Sequence, residues 1–506
     1  MVSTECNRQL ELFEVGRQVV TVDFEGGDVV SDAGLLPIRQ LDQQLGILAE
    51  AARRLPDPRS PLLIQHSVES LLSQRVYQIL AGYPDGNDAQ LLKHDALFKT
   101  CAGKSPSSPR PLASGSTLNR FLHAYTRREH EKPLEERSTL FECRDAQLQR
   151  IRGLNEFLVD VFARTRKQKP AHVIIDLDPT DDACHGHQQL SFWHGYYDQN
   201  QYFPMLVFDG ETGLPLAAWL RPGKLHAACG AVEIVQEIVA RLRAHWPDVT
   251  IFVRGDNGVA SPEMYEFCEA EGLLYAFGYA SNEVLKRRVA EAELEHEAKL
   301  LWWITRRPSQ VFGRFEDYQA GTWSRSRRVI AKAEITEAGG LNTRFVVSNL
   351  SGHPAGIYHG YYVQRGNVPE RPIGELKNGL AMDRLSSPRF LANSQKLLVH
   401  VLAYLLWSLF REANAEVPEL AKMEVGTART RLFKVGALVQ STARRVWFHL
   451  ASHWPGQTLY ARAATAVRTY VDQLHESWRS RHWVLEPRWN DPQDRLRIAF
   501  APAPLK

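Results

Sequence analysis

The spacing of hydrophobic positions changes along the chain and divides it into regions. Up to about residue 165, apolar residues recur mainly at three- and four-residue intervals, which predicts a mostly helical region after a short strand at 19–24. Helices are predicted at 71–80, where a Gly-Tyr-Pro-Asp-Gly turn follows, and near 118–125.

From about residue 170, short β-branched runs alternate with helical stretches. Strands are predicted at 173–175, 205–208, 216–220, 249–253 and 273–277, and helices at 231–244 and 262–271. This order predicts an α/β fold built on a mixed sheet.

Residues 283 to about 350 break this alternation. A charged helix at 283–299 precedes two segments, 327–335 and 344–348, which alternate like strands on either side of a Gly-Gly turn. The pattern predicts a β-rich insertion within the α/β domain. From residue 367 onward the spacing predicts helices again, through to the C-terminal region.

The charge balance does not by itself indicate a nucleic-acid ligand. The chain has 61 Lys and Arg against 58 Asp and Glu, a formal net charge of +3, and such a chain can still carry local basic grooves. Its six cysteines are scattered without a CxxC pair, which favours a reducing compartment. No export signal is recognised and the apolar run at 397–410 is too short to span a bilayer, so we expect a cytoplasmic protein without a membrane partner.

Carboxylates stand where α/β sheets commonly place their chemistry. Asp176 and Asp178 lie two apart on a predicted strand and therefore share a face. Asp256 follows the predicted strand at 249–253, and Glu370 stands three residues after Asn367, as in the first turn of a helix. Three carboxylates on two strand ends and one helix start can hold two Mg²⁺ ions about 4 Å apart. A single Asp after a strand is more often a turn former, so the argument needs a more specific signal.

That signal is a spaced pattern of four residues. It reads Tyr-x2-Arg-x4-Glu-x6-Lys and is formed by Tyr362, Arg365, Glu370 and Lys377. The pattern resembles the Y-R-E-K block of insertion-sequence DDE transposases, and the strings around Asp178 and Asp256 resemble the two aspartate blocks of that class. The segments at 176–182, 185–188 and 195–198 are similar to the IS-thirteen-eighty family in particular. Such landmarks run from near residue 20 to about residue 450.

The resemblance implies a fold and a division of the chain. The fold would be an RNase H-like catalytic domain with a β-rich insertion, flanked by helical regions. The expected parts are a helical N-terminal DNA-binding region (1–165), the first part of the catalytic domain (166–282), the β-rich insertion (283–352), the closing helices with the glutamate (353–415) and a helical C-terminal region (416–506).

The resemblance also implies an activity. The protein would cut its mobile element at the terminal inverted repeats and join the 3′ ends to target DNA by two-metal-ion chemistry. Asp178, Asp256 and Glu370 would be the catalytic metal ligands, with Mg²⁺ as the ion and Mn²⁺ as a substitute. The expected partners are double-stranded DNA and a second copy of the chain, as a homodimer on DNA in the bacterial nucleoid.

Carried over from the same block, Tyr362, Arg365 and Lys377 would hold DNA phosphates. Several arginines surround the tryptophans of the insertion, which favours backbone contact there through Arg327 and Arg328 among others. The tryptophans Trp302, Trp303 and Trp323 have two interpretations: packing within the insertion, or stacking on a flipped base. A basic cluster at 429–445 is either a second DNA surface or a solvated helix face.

Two choices of ligand and two other functions remain open. Asp176 shares a face with Asp178 and is its rival. Glu375 is a rival for Glu370, because the Arg-to-Glu gap is four residues rather than the three of the commonest form, although only Glu370 keeps six residues before the lysine. The other functions are an RNase H-like nuclease without strand transfer and a non-catalytic DNA-binding protein derived from a transposase.

Overall fold

The computed structural model describes residues 9–123, 146–195, 198–367 and 370–480. It contains a mixed sheet of eight strands, against which helices that precede, interrupt and follow its strands in the sequence are packed. The α/β fold predicted from the sequence is confirmed as a mixed α/β structure with one large sheet.

The N-terminal region opens with strands and continues as helices. Its strands are β1 (Gln9–Val15), β2 (Gln18–Asp23) and β3 (Val29–Val30). Its helices are α1 (Leu36–Leu45), α2 (Ile47–Arg53), α3 (Val68–Ala81), α4 (Asp88–Leu92), α5 (Ala96–Cys101), α6 (Gly115–Leu122) and α7 (Ala146–Thr165).

The elements predicted in this region are present. The predicted strand at 19–24 is β2, the second arm of an antiparallel hairpin with β1. The predicted helix at 71–80 is α3, which Ser67 caps and which ends at Gly82, where a φ of 96° requires the freedom of glycine. The helix predicted near 118–125 is α6, and residues 124 and 125 lie outside the described residues.

The next part of the chain supplies most of the central sheet. Its strands are β4 (His172–Pro179), β5 (Asp182–Ala183), β6 (Phe192–His194), β7 (Gln199–Tyr202), β8 (Met205–Asp209), β9 (Pro215–Trp219), β10 (Thr250–Gly255) and β11 (Leu274–Tyr279). Its helices are α8 (Ala231–His245) and α9 (Pro262–Ala270). All five predicted strands and both predicted helices are found. Strands β5 to β7, which the spacing did not predict, form a small antiparallel sheet.

Residues 283–352 form α10 (Glu283–Glu291), α11 (Leu294–Thr305), β12 (Ser309–Tyr318), β13 (Arg327–Ile335) and β14 (Leu341–Ser348). The single charged helix predicted at 283–299 is two helices, because the chain turns at Glu293 with a φ of 54°. The three strands extend the central sheet, since β14 pairs antiparallel with β11. The predicted β-rich segment is therefore continuous with the α/β sheet, whose order is β12-β13-β14-β11-β10-β4-β8-β9.

The remaining described residues are only partly helical. The helices are α12 (Pro354–Ile357), α13 (Gln364–Asn367), α14 (Glu370–Gly374), α15 (Phe390–Ala413), α16 (Pro418–Ala421), α17 (Val425–Ala428) and α18 (Gln457–Ser480). Three π-helical turns lie between them, at Tyr358–Tyr362, Glu375–Gly379 and Arg429–Phe433. The prediction of a helical C-terminal region is wrong at β15 (Ala437–Ser441) and β16 (Val446–Leu450), which form a hairpin that also pairs with β3.

The core runs through all these regions. Helix α15 is apolar on nearly every side, as a buried helix must be, and it packs against α3, α7 and α18. One cluster of buried apolar residues extends from Val30 near the start to Leu474 near the end. Among the described helices, none is long and apolar enough to cross a membrane.

Candidate active site

The central sheet brings Asp178 and Asp256 to the same edge. Strands β4 and β10 are parallel neighbours, and their register pairs Leu177 with Gly255. The residues that follow this pair, Asp178 after β4's Leu177 and Asp256 after β10's Gly255, are the two predicted ligands. Both therefore stand just beyond the last pair between β4 and β10, at the carboxyl ends of these strands, while Asp178 still pairs with Leu206 of β8. The carboxyl ends of the strands are where α/β sheets commonly bind their ligands.

Asp178 lies among other charged groups. Burial raises its pKa to about 7, with Arg365 opposing the rise and with Asp256, Asp176 and Glu370 adding to it. Carboxylates raise one another's pKa only when they are close. Asp256 and Glu370 therefore lie near enough to Asp178 for their charges to act on it, as does Arg365.

Two backbone amides hold the side chain of Asp256. Its Oδ1 accepts hydrogen bonds from the amides of Gly258 and Val259, at 2.9 and 3.3 Å. The chain turns tightly here because the carboxylate caps the turn that follows β10. One oxygen is thus held by the fold, and the side chain has a fixed orientation at the edge of the sheet.

The two rival carboxylates, Asp176 and Glu375, are buried and each is paired with an arginine. Asp176 is fully buried, and both its oxygens accept from Arg254 at 2.6 Å. Glu375 is also buried and accepts from Arg411 at 2.8 Å and from the amide of Val425 at 3.1 Å. By contrast, Glu370 is exposed at the first residue of α14, as the first-turn prediction placed it.

The residues predicted to hold phosphates fall into two groups. Tyr362 and Arg365 lie together, with the guanidinium 5.9 Å from the ring centre. The tyrosine packs over Gly278 on β11, where a Cβ would stand only 2.5 Å from its Oη. Lys377 is paired with Asp181, whose Oδ1 lies 2.9 Å from its Nζ. In this structure the lysine therefore holds a carboxylate.

The arginines of the insertion have partners of their own. Arg327 is buried and pairs with both oxygens of Glu269, at 2.8 and 2.9 Å. Arg328 pairs with Glu316 at 2.9 Å and remains partly exposed. Arg327 thus supports the insertion from within, whereas Arg328 lies at its surface.

The three tryptophans of the insertion differ in exposure. Trp323 is buried and packs edge-to-face against Tyr265, at 5.4 Å between ring centres. Trp302 is partly buried, and Trp303 is 62 % exposed at the end of α11. Packing explains Trp323, while Trp303 stands free of the core.

The predicted basic cluster near the C-terminus is divided in the same way. Arg429 donates to the carbonyls of Leu80 and Gly379, at 3.1 and 2.8 Å, and so joins three segments of the fold. Lys434 pairs with the buried Asp32. Lys434 is nevertheless exposed, as are Arg431, Arg444 and Arg445.

The arrangement and the chemistry of these side chains bear on metal binding in different ways. In the ranges that the structure describes, no three His, Cys, Asp or Glu side chains converge closely enough to hold a metal ion. The donors at this edge are nevertheless all carboxylate oxygens, which Mg²⁺ prefers. Burial is the main cause of the raised pKa of Asp178, and the neighbouring carboxylates add to it; a divalent cation would relieve the repulsion among them. The residues therefore fit Mg²⁺ by the chemistry of their oxygen atoms, although the described side chains are not drawn together around a metal position.

Sequence reasoning missed the role of Arg254. It lies in the string around Asp256 without a predicted role of its own, yet its buried guanidinium donates to Asp176 and to the carbonyl of Tyr361. A signal was present, because an acidic and a basic residue each interrupt an apolar strand, and buried charges need partners.

Comparison with known proteins assigns the class. The sequence profile of the family described as Transposase DDE domain group 1 matches residues 13–472, and the chain belongs to this family. Transposases of the DDE class generally use divalent metal ions. A cryo-EM structure of the piggyBac transposase synaptic complex with hairpin DNA is similar at 11 % identity and a TM-score of 0.39, over 89 % of this chain and 82 % of that chain. No curated protein sequence matches.

Proposed function

We propose that this transposase cuts its mobile element at the terminal inverted repeats and joins the 3′ ends to target DNA. Family membership supports this class of reaction. The observation that carries the site is the register of β4 and β10, which places Asp178 beside Asp256, with the charge of Glu370 also acting on Asp178. The finer assignment to the IS-thirteen-eighty family rests on the strings at 176–182, 185–188 and 195–198, of which residues 196 and 197 lie outside the described ranges.

The catalytic part is proposed to be RNase H-like. Its support is the strand order β9-β8-β4-β10-β11, in which three antiparallel strands are followed by two that run parallel to β4. On this assignment β12 to β14 are the insertion, added at the edge of the sheet beyond β11. The parts at 1–165, 166–282, 283–352, 353–415 and 416–506 remain our proposed division, with the first as the DNA-binding region.

Asp178, Asp256 and Glu370 are proposed to hold Mg²⁺, or Mn²⁺ in its place. When bound, the metal would activate the attacking oxygen and stabilise the leaving oxygen of a phosphodiester. The chain contributes orientation: β4 and β10 fix the two aspartates at one edge, and two amides hold one oxygen of Asp256. Arg365 supplies positive charge beside the carboxylates, where a phosphate would otherwise be repelled.

The DNA backbone is proposed to contact Tyr362, Arg365 and Lys377, with Arg328 contributing from the insertion. Because Arg327 is paired with Glu269, its proposed role is to hold the insertion in place. Because two transposon ends must be joined to one target, a homodimer on double-stranded DNA in the nucleoid is part of the proposal.

The proposal is tested by strand transfer. A labelled duplex with a pre-cut 3′ end of the terminal repeat is incubated with a target plasmid and Mg²⁺. We expect joined products from the wild type and from the control Glu263→Gln, which alters an exposed residue of α9, and none from Asp178→Asn or Glu370→Gln. Cleavage of uncut ends without joining would favour a nuclease. Salt-sensitive binding with neither reaction would favour a non-catalytic DNA-binding protein.

A further inference from the structure

We propose that Arg254 is a positioning residue that holds the three carboxylate-bearing segments of the active site in one arrangement. The inference rests on the proposed function, since it assigns Asp178, Asp256 and Glu370 to that site. It adds a residue that touches neither metal nor DNA and acts through the segments that carry those ligands.

The first contact of Arg254 joins two strands. Its Nε and Nη2 donate to the two oxygens of Asp176, each at 2.6 Å, and the side chains are 2 % and 0 % exposed. Asp176 lies two residues before Asp178 on β4, and Arg254 lies two residues before Asp256. The pair therefore fixes the relative position of the two strands just inside the edge where the ligands stand.

The second contact reaches the segment that leads to the glutamate. The Nη1 of Arg254 donates to the carbonyl of Tyr361 at 2.7 Å. Tyr361 belongs to the π-helical turn Tyr358–Tyr362, and its ring stacks on Phe252 of β10 at 5.4 Å with 16° between the planes. Arg365 and Glu370 follow along the chain within ten residues. One guanidinium thus connects β4, β10 and the third segment.

The chemistry of arginine suits this task. Its planar fork donates to both oxygens of a carboxylate in a fixed geometry and still has a donor for a carbonyl. A buried ion pair contributes little net stability compared with well-packed apolar residues, so stability alone is a weak reason to keep one here.

The backbone beside the pair of Arg254 and Asp176 packs closely against it. Gly210, just after β8, packs directly on it: a Cβ there would stand 2.4 Å from Nη2 of Arg254 and 2.7 Å from Oδ2 of Asp176. Its φ is not in the left-handed region, so Gly210→Ala alters packing rather than backbone strain. This variant displaces the pair without removing a charge.

The test replaces the pair by apolar residues of similar size, Asp176→Leu with Arg254→Met. Replacing both partners leaves no buried charge unpaired, so the melting temperature is expected to stay within a few degrees of the wild type. Amide hydrogen exchange at 358–366 is measured without DNA and without metal, so it does not depend on activity. We expect exchange there to rise about tenfold or more, as for a segment that has lost an anchor.

The same double variant is then assayed for end cleavage over a range of Mg²⁺ concentrations. We expect a higher half-saturating Mg²⁺ concentration together with a lower maximal rate. Gly210→Ala should give the same changes in weaker form, and it keeps the proposal testable if the double variant does not fold. The matched control is Gly426→Ala, where a Cβ has open space.

Wild-type exchange at 358–366 and a wild-type Mg²⁺ response in both folded variants would overturn the proposal. If the wild-type protein itself does not cleave, the proposed function fails. The exchange measurement then still decides whether Arg254 holds the third segment, so the two failures are distinguishable.

Discussion

Glu370 and Glu375 lie five residues apart, but Glu370 is exposed and Glu375 is buried. Glu375→Gln weakens the buried pairing of Arg411, and we expect a loss of about 3–5 kcal/mol in the free energy of unfolding. Glu370→Gln alters an exposed residue, so the change should stay within roughly 0.5 kcal/mol while DNA cleavage is lost. Urea unfolding and a cleavage assay on both variants check this. A stable, inactive Glu375→Gln beside an active Glu370→Gln would reverse the assignment.

Lys377 is held by Asp181 in the absence of DNA. If the lysine binds a phosphate, it must leave this carboxylate, and the partly exposed pair is worth about 0.2–1 kcal/mol. Asp181→Asn is therefore expected to raise the affinity for the terminal repeat by about 1.4- to 5-fold. Binding isotherms measure it, with Lys377→Gln as the opposite change. Unaltered binding in both variants would remove Lys377 from the DNA interface.

At the scale of elements, Asp160 joins three helical segments. From α7 it accepts hydrogen bonds from Arg54 at the end of α2 and from Arg241 and His245 on α8. Burial alone would raise its pKa, but the hydrogen bonds from His245 and Arg241 and the charge of Arg54 lower the pKa well below its usual value.

The pH dependence of stability follows from that lowered pKa. The contribution of Asp160 is complete above the unfolded pKa of about 4 and is lost as the pH falls towards the folded value. Asp160→Asn should cost about 3–5 kcal/mol at pH 7, and the gap to the wild type should shrink at pH 3. Urea unfolding at the two pH values measures the gap. An equal gap at both would contradict this account.

The elements that the sequence predicted best are those with a strong local signal. Strands β4, β8 and β10 are apolar runs that the central sheet buries on both faces, and α3 carries a serine cap and a terminal glycine. Strands β15 and β16 were not predicted, because most of their residues are exposed and because β15 pairs with β3, some 400 residues away in the chain. No local pattern records such a pairing.

In the candidate site, too, the features with a local signal were predictable and the distant pairings were not. The positions of Asp178, Asp256 and Glu370 follow from strand ends and a helix start, which local patterns reveal. Asp176 and Glu375 are each paired with an arginine, and residue spacing could not predict this. Their partners Arg254 and Arg411 come from other segments of the chain. The buried arginine in β10 was the available clue.

At the scale of the whole molecule, described segments from near the start and near the end of the sequence pack against each other. Strand β3 pairs with β15, α18 packs on α1, and Lys434 pairs with Asp32. The regions expected at 1–165 and 416–506 therefore share a sheet and a core in this structure.

The central claim is that Asp178, Asp256 and Glu370 form a metal-dependent site that cuts transposon ends. Its most direct test is cleavage of a labelled duplex carrying the terminal repeat, with Mg²⁺ or with EDTA, by the wild type and by Asp256→Asn, which keeps the oxygen that caps the turn. The account predicts nicking at the repeat boundary with Mg²⁺ alone, slowed about 100-fold or more in the variant at an unchanged melting temperature. Cleavage by Asp256→Asn at the wild-type rate, or tight binding of the wild type without any cut, would contradict it.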